Sequence, residues 1–218
     1  MKKRLSCWSI ILMLIVIMSI VGCSSRVAFT IKDNDMKNLS PLTVARHKVV
    51  SVKKVTGGGV AAILLTGGLG ANMYFESGGR SMVEKYNLQD PGQIITSKFV
   101  EFAPKEINNW PTMNVIDNTI DDEYVYKNVL LEIIPELMSF GSRGEGKGLY
   151  LITIARMRDE KRNIIWEDKF IYRSRDYGRD KDLEIMEADE GKLIKEEILF
   201  GTEISAKKFI MSLKGEKI

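Results

Sequence analysis

An α+β two-layer sandwich, with helices on one face of a mixed or mostly antiparallel sheet, is the fold class that this sequence predicts. Three observations carry it. Strand-like stretches occur early in the chain and recur as a group between residues 112 and 172, divided by polar turns. One amphipathic helical pattern separates the two groups of strands, and a second closes the chain. The composition, 44% apolar and 28% charged over 218 residues, suits one globular domain and argues against disorder or low complexity.

The elements follow in order. Arg26 to Lys32 alternates, with Val27, Phe29 and Ile31 on one side, as a short strand does. Asp33 to Pro41 is polar and turn-rich, and a second strand is expected from Ala45 to Val55. Residues 55–75 form a Gly-rich apolar insertion of 21 uncharged residues, six of them Gly. Its apolar centre, Val60 to Leu65, is too short to cross a bilayer alone. The expectation is a Gly-flanked hairpin or helical turn that covers a sheet edge or lies on a membrane surface.

Asp90-Pro91-Gly92 has the form of a helix start, with Asp90 as N-cap and Pro91 in the first turn. Ile95, Phe99, Phe102, Ala103 and Ile107 recur at spacings of three and four, and Pro104 should kink the last turn. Strands are then predicted at Thr112 to Ile116, within Tyr124 to Met138, from Leu149 to Met157 and from Ile164 to Tyr172. Both faces of the Leu149 to Met157 strand carry apolar residues, which predicts cover on both sides. Arg173 to Asp182 is dense in charge and reads as a solvated loop. Glu187 to Leu213 is the clearest helix, with Leu193, Ile194, Ile198, Gly201, Ile204 and Phe209 on one stripe. Gly201 lowers helix propensity by about 1 kcal/mol relative to Ala and so marks close packing or a slight bend.

The N-terminus is organised differently. Lys2-Lys3-Arg4 precedes a run from Leu5 to Ser25 without charge, its apolar core spanning Ile10 to Met18. That is the layout of a secretory signal peptide. The run ends in Ile20-Val21-Gly22-Cys23, which resembles the lipobox of bacterial lipoproteins. The resemblance covers about 25 residues and implies three steps: diacylglyceryl transfer to the Cys23 sulfur, cleavage after Gly22, and acylation of the new α-amino group, with palmitate the usual chain. Ser24, rather than Asp, follows Cys23, which is similar to the pattern forwarded to the outer membrane in Gram-negative cells. The domain organisation expected is therefore a cleaved signal peptide over 1–22 and one lipid-anchored domain over 23–218.

Removing residues 1–22 leaves 29 basic and 29 acidic residues. A neutral domain has no global attraction for nucleic acid, and none is expected as a partner. Cys7 leaves with the signal and Cys23 carries lipid, so thiol nucleophiles, disulfides and thiolate metal sites are excluded from the processed chain.

The remaining candidates for chemistry are weak. His47, the single His, lies between Arg46 and Lys48, lacks a recognisable partner, and reads as a half-buried strand residue. Asp33 and Asp35, and Asp121-Asp122-Glu123, lack the spacing of a calcium loop. Asp176, Asp180 and Asp182 alternate with Arg175, Arg179 and Lys181 as a self-compensating loop, a possible docking surface. Gly67-Gly68-Leu69-Gly70 and Gly78-Gly79-Arg80-Ser81 lack the endings of phosphate cradles, and Ser142 has no elbow motif or nearby His. Trp110, Trp166, Tyr150, Phe170 and Tyr172 suit core packing better than a ligand groove.

No catalytic, cofactor-binding or metal residues are assigned, and Cys23 is the one site residue, for lipidation. The function expected is that of a non-catalytic, membrane-tethered accessory or adaptor protein of the cell envelope, with a protein partner there. The likeness of its element order to auxiliary lipoproteins of envelope assembly and transport systems is one of topology alone. Two alternatives stay open. One is an oligomeric lipoprotein that inserts residues 55–75 into a bilayer as a pore or secretion component. The other is an envelope hydrolase using Glu132, Glu167 or Asp168, which would require a deep cleft and a carboxyl raised in pKa.

Overall fold

The computed structural model describes residues 39–49, 51–55, 73, 75–120, 124–141 and 147–216. The expected signal peptide, Cys23, the strand expected at Arg26 to Lys32 and most of the 55–75 stretch lie outside the described residues. So do Asp33, Asp35, Asp121-Asp122-Glu123, Gly67 to Gly70 and Ser142.

The described chain runs β1 (Leu42–Arg46), β2 (Ser51–Val55), α1 (residues 75–86), α2 (Pro91–Glu106) and β3 (Met113–Thr119). It continues through β4 (Val129–Gly141), β5 (Gly148–Arg158), β6 (Ile164–Arg173), a 3₁₀ turn at Ser174–Tyr177, and α3 (Leu183–Leu213). The strands form one six-stranded mixed sheet in the order β3-β1-β4-β5-β6, with β2 also on β4. The α+β architecture with a C-terminal helix on the sheet is as the sequence predicts.

The mixture of directions follows from connection length. Only six residues separate β4 from β5 and five separate β5 from β6, and both pairs are antiparallel. β1 and β2 reach β4 only by way of the helices, and both lie parallel to it. They occupy successive halves of the same β4 edge, β1 opposite Val129–Ile133 and β2 opposite Leu137–Gly141. The single strand expected from Ala45 to Val55 therefore starts earlier and breaks after Arg46. The break faces a register shift in β4 between Pro135 and Leu137. Pro135 cannot donate to a neighbouring strand, and the interruption is placed where that donor is missing. β3 corrects a second expectation: it is not part of an antiparallel group but an edge strand parallel to β1.

Among the described residues α2 and α3 share one side of the sheet, and α1 borders β2, where Ser51 Oγ donates to Glu76 at 3.2 Å. α2 and α3 pack on each other, α2 against β1 and β4 and α3 against β5 and β6. Leu42, Val44, Leu131, Ile133, Met138, Phe140, Leu149, Leu151, Ala155, Met157, Trp166 and Tyr172 meet Ile95, Phe99, Ile194, Ile198, Phe209 and Leu213 in the core. From Leu149 on, β5 alternates between buried odd-numbered and half-buried even-numbered residues. Among the described residues the helices cover the odd-numbered side, and none lies over Tyr150, Ile152 and Ile154.

Two glycines explain how closely the layers approach. A Cβ on Gly79 of α1 would stand 2.2 Å from the Val52 carbonyl oxygen of β2, and one on Gly201 of α3 would stand 2.8 Å from the Tyr172 ring. Gly78-Gly79 is thus a helix-to-strand contact. α1 itself has no counterpart in the elements expected from sequence. The α2 N-terminus is as predicted, with Asp90 Oδ1 accepting from the Gly92 N–H at 2.9 Å. Pro104 stays within α2, which ends at Ile107, where the backbone N–H reaches Ala103.

α3 begins at Leu183, before the predicted Glu187, and is broken at Ala188–Gly191. Asp189, Glu190 and Gly191 all have left-handed φ, at 52°, 52° and 69°. A Cβ at Gly191 would meet the Tyr86 ring at 2.6 Å, which restricts that position to Gly twice over. Ile194, Ile198 and Phe209 are buried as predicted, whereas Leu193 and Ile204 are half-buried. Among the described residues no helix is long and apolar enough to cross a membrane.

Candidate functional site

Strand register arranges the side of the sheet away from the helices in rows. Lys53 of β2, Ser139 of β4, Tyr150 of β5 and Arg173 of β6 are successive cross-strand partners. Below them run Ser51, Leu137, Ile152 and Ile171, and then Ile134, Ile154 and Lys169. The next row is Ala45, Glu132, Arg156 and Glu167. Because paired residues point to the same side, this face has an apolar middle between two polar ends.

The lower end is closed by ion pairs. Glu132 is almost fully buried, and its carboxylate accepts from Arg158 Nε at 2.7 Å and contacts His47 Nε2 at 2.9 Å. Burial pushes the Glu132 carboxyl up, but the hydrogen bonds and charges of His47 and Arg158 outweigh it and leave it below the usual carboxylate range. His47 stands directly after β1, where its backbone N–H continues the ladder to the Ile133 carbonyl. It is half-buried, as expected from the sequence, but it does have a partner. Arg156 joins Glu167 at 2.5 Å. Of the carboxylates considered for a hydrolase, Glu132 and Glu167 share this row with Arg156 between them, and Asp168 points to the helix side. A Glu132 carboxyl held below its usual range is the opposite of the proton donor that such chemistry needs.

The upper end is open. Val55, Leu137, Ser139, Tyr150, Arg173, Arg175 and Asp176 line a shallow concavity of about 590 Å³. Arg173 lies over the Tyr150 ring, 5.6 Å from its centre. Arg175 and Asp176 belong to the charged stretch read from sequence as a loop. Arg173 instead ends β6, and Ser174–Tyr177 is a 3₁₀ turn whose Ser174 is fully buried.

A second buried cluster ties that turn to α3. Glu197, almost fully buried, accepts from Tyr172 Oη at 2.5 Å and Ser174 Oγ at 2.7 Å through one carboxylate oxygen, and from Arg179 Nε at 2.7 Å through the other. Burial and the adjacent carboxylate push the Tyr172 phenol well up, so it stays a donor. Arg179 also caps the Phe200 ring at 4.3 Å. Each charge is compensated and the cluster is sealed beneath the helix, which makes it a fastening.

Trp166 and Tyr172 are core residues, and Trp110 packs edge-on to Phe99 at 5.6 Å. Phe170 is partly buried on the core, and Tyr150 alone of the five aromatics faces the open side. Among the described residues no group of three His, Cys, Asp or Glu side chains has the arrangement of a metal site. The Glu132 and Glu197 clusters were invisible in the sequence because their members lie up to 85 residues apart. No family model, curated protein or solved structure matches this chain.

Proposed function

We propose that this protein is a non-catalytic, lipid-anchored accessory or adaptor protein of the bacterial cell envelope. The observation that carries the reading is Ile20-Val21-Gly22-Cys23 at the end of an uncharged run behind Lys2-Lys3-Arg4. Two or three acyl chains on Cys23 hold a folded domain to a bilayer durably where one chain does not. With Ser24 after Cys23, the inner leaflet of the outer membrane, facing the periplasm, is the compartment this reading assigns in a Gram-negative cell. A sheet covered by helices on one side supports an adaptor role, because the other side offers a broad surface with an apolar middle. The predominance of paired carboxylates there is consistent with binding rather than turnover. No cofactor belongs to the reading.

The test is Cys23→Ala in cells fed a labelled fatty acid. The variant should accumulate as unprocessed precursor without label. Labelling equal to the parent would remove the anchor and the reading with it. The 21 uncharged residues from Val55 to Phe75 favour one second reading, an oligomer that inserts this segment into the bilayer. Sizing in detergent separates the two, since a ring-forming subunit runs at several times the mass of one chain.

A further inference from the structure

We propose that the upper end of the open sheet face seats on an anionic phospholipid surface, so that the tethered domain has a fixed orientation on its membrane. The argument starts from register. Lys53, Ser139, Tyr150 and Arg173 form one row across four adjacent strands, at about 4.8 Å per strand. Arg175 joins Arg173 at the rim of the concavity, with Asp176 the one carboxylate among the described residues that line it. The other cations on this side of the sheet are neutralised: Arg156 by Glu167, Arg158 by Glu132 and Lys169 by Glu136. Among the described residues Lys53, Arg173 and Arg175 have no carboxylate partner. The pattern is a cationic row at the end of a face that is otherwise electrically closed.

The row beneath supplies the apolar component. Leu137, Ile152 and Ile171 continue from Tyr150 toward the middle of the sheet, and Ile171 and Val55 are 36% and 38% exposed. Arginine above a tyrosine ring, beside hydroxyls and exposed aliphatic residues, matches the phosphate and upper acyl region of a leaflet. The guanidinium forks phosphate, the phenol sits at the polar boundary, and the aliphatic side chains enter below it. An acidic protein surface would satisfy the cations but leave the exposed Val55 and Ile171 beside them without a match, so the occupant is lipid. Near an anionic leaflet each such cation contributes about a fivefold gain in the seated over the lifted orientation.

The proposal uses the lipid tether only to keep the domain near a bilayer, and the experiment separates the two. Full-length protein with Cys7→Ala is reconstituted on phosphatidylcholine vesicles with and without phosphatidylglycerol, and a thiol-reactive fluorophore is placed at Ile171→Cys or at Leu199→Cys on the helix layer. Brominated lipid should quench the label at position 171 and not at 199, and only when phosphatidylglycerol is present. Replacing Arg173 and Arg175 together by Gln should reduce the seated population about 25-fold, one fivefold step per charge. Vesicle-bound protein unquenched at position 171 overturns this surface while leaving the tether intact. Quenching indifferent to phosphatidylglycerol overturns the role of the cations. Protection of position 171 from an aqueous quencher in detergent alone shows a second copy or another part of the chain on this face, and also overturns it. Quenching at 171 in protein that alkaline washing releases keeps the surface and removes the tether.

Discussion

Replacing Glu197 by Leu should detach α3 from the corner formed by β6 and the 3₁₀ turn, and the structure sets the size of the effect. The substitution leaves Tyr172 Oη and the fully buried Ser174 Oγ without their shared acceptor. Ser174 Oγ keeps the Leu149 N–H at 2.8 Å and can donate to the Leu149 carbonyl at 3.2 Å, so the phenol alone is left unpaired, at a cost of about 1–3 kcal/mol. Arg179, whose side chain is 38% exposed, returns to water and adds little. Part of the loss is recovered by burying an apolar side chain in place of an ion. A net destabilisation of about 2 kcal/mol corresponds to a fall in Tm of about 4–8 °C for a domain of this size. Glu197→Gln keeps an acceptor for both hydroxyls but turns an amide or a neutral oxygen toward Arg179, so about 1–2 kcal/mol is expected. Tyr172→Phe removes one donor and leaves the other two bonds, for about 1 kcal/mol. Urea unfolding followed by far-UV circular dichroism measures all three, and the double variant Tyr172→Phe/Glu197→Leu should cost less than the sum of its parts. A Leu variant within about 1 kcal/mol of the parent, or strict additivity in the double variant, would refute the view that this cluster fastens the helix.

Gly79→Ala in α1 should be destabilising although Ala is the better helix former by about 1 kcal/mol, because the new Cβ meets the Val52 carbonyl at 2.2 Å. Thermal melting that rises in this variant would show that α1 can lift from β2 without loss. Ile198→Asp places a charge in a position 2% exposed between α3 and the sheet, and expression as a folded, cooperatively melting domain would contradict that packing. Glu132 has a folded pKa below its ordinary 4.5, so the unfolded chain binds more protons in that range. The stability it contributes is full above about 4.5 and is lost as pH falls through the folded value. The difference in stability between the parent and Glu132→Gln should therefore shrink on acidification from neutral pH, and a constant difference would contradict the His47–Glu132–Arg158 arrangement.

What the sequence determined by itself was local. Asp90-Pro91-Gly92 specified a helix start because capping and a fixed φ act within a single turn. The apolar stripe through Ile194, Ile198 and Phe209 specified a core-facing helix because its period is that of the helix. Alternation in Leu149 to Met157 and Ile164 to Tyr172 located β5 and β6 to within a residue. The resemblance of Ile20-Val21-Gly22-Cys23 to a lipobox is likewise contiguous, so the proposal for Cys23 needs no pairing between distant segments. What only the tertiary structure decided depends on pairing between distant segments. Both β1 and β2 are too short for periodicity to reveal the break between them, and its position is dictated by Pro135, some 85 residues along the chain. Even-numbered residues of β5 are apolar enough to predict cover, yet whether a helix lies over them depends on which side the crossovers return. Gly78-Gly79 weakens the helical signal of residues 75–86, and only the approach of β2 explains why Cβ atoms are missing there. Glu197 looks like an ordinary surface acid beside Lys195 and Glu196, and Glu132 is a lone acid in the apolar run Val129 to Ile134. Their burial is possible only because Arg158 with His47, and Arg179 with Tyr172 and Ser174, arrive from other strands and turns to compensate the charge. The same limit holds for the cationic row: Lys53 and Arg173 are 120 residues apart, and it is the register of three strand pairs that sets them on one face.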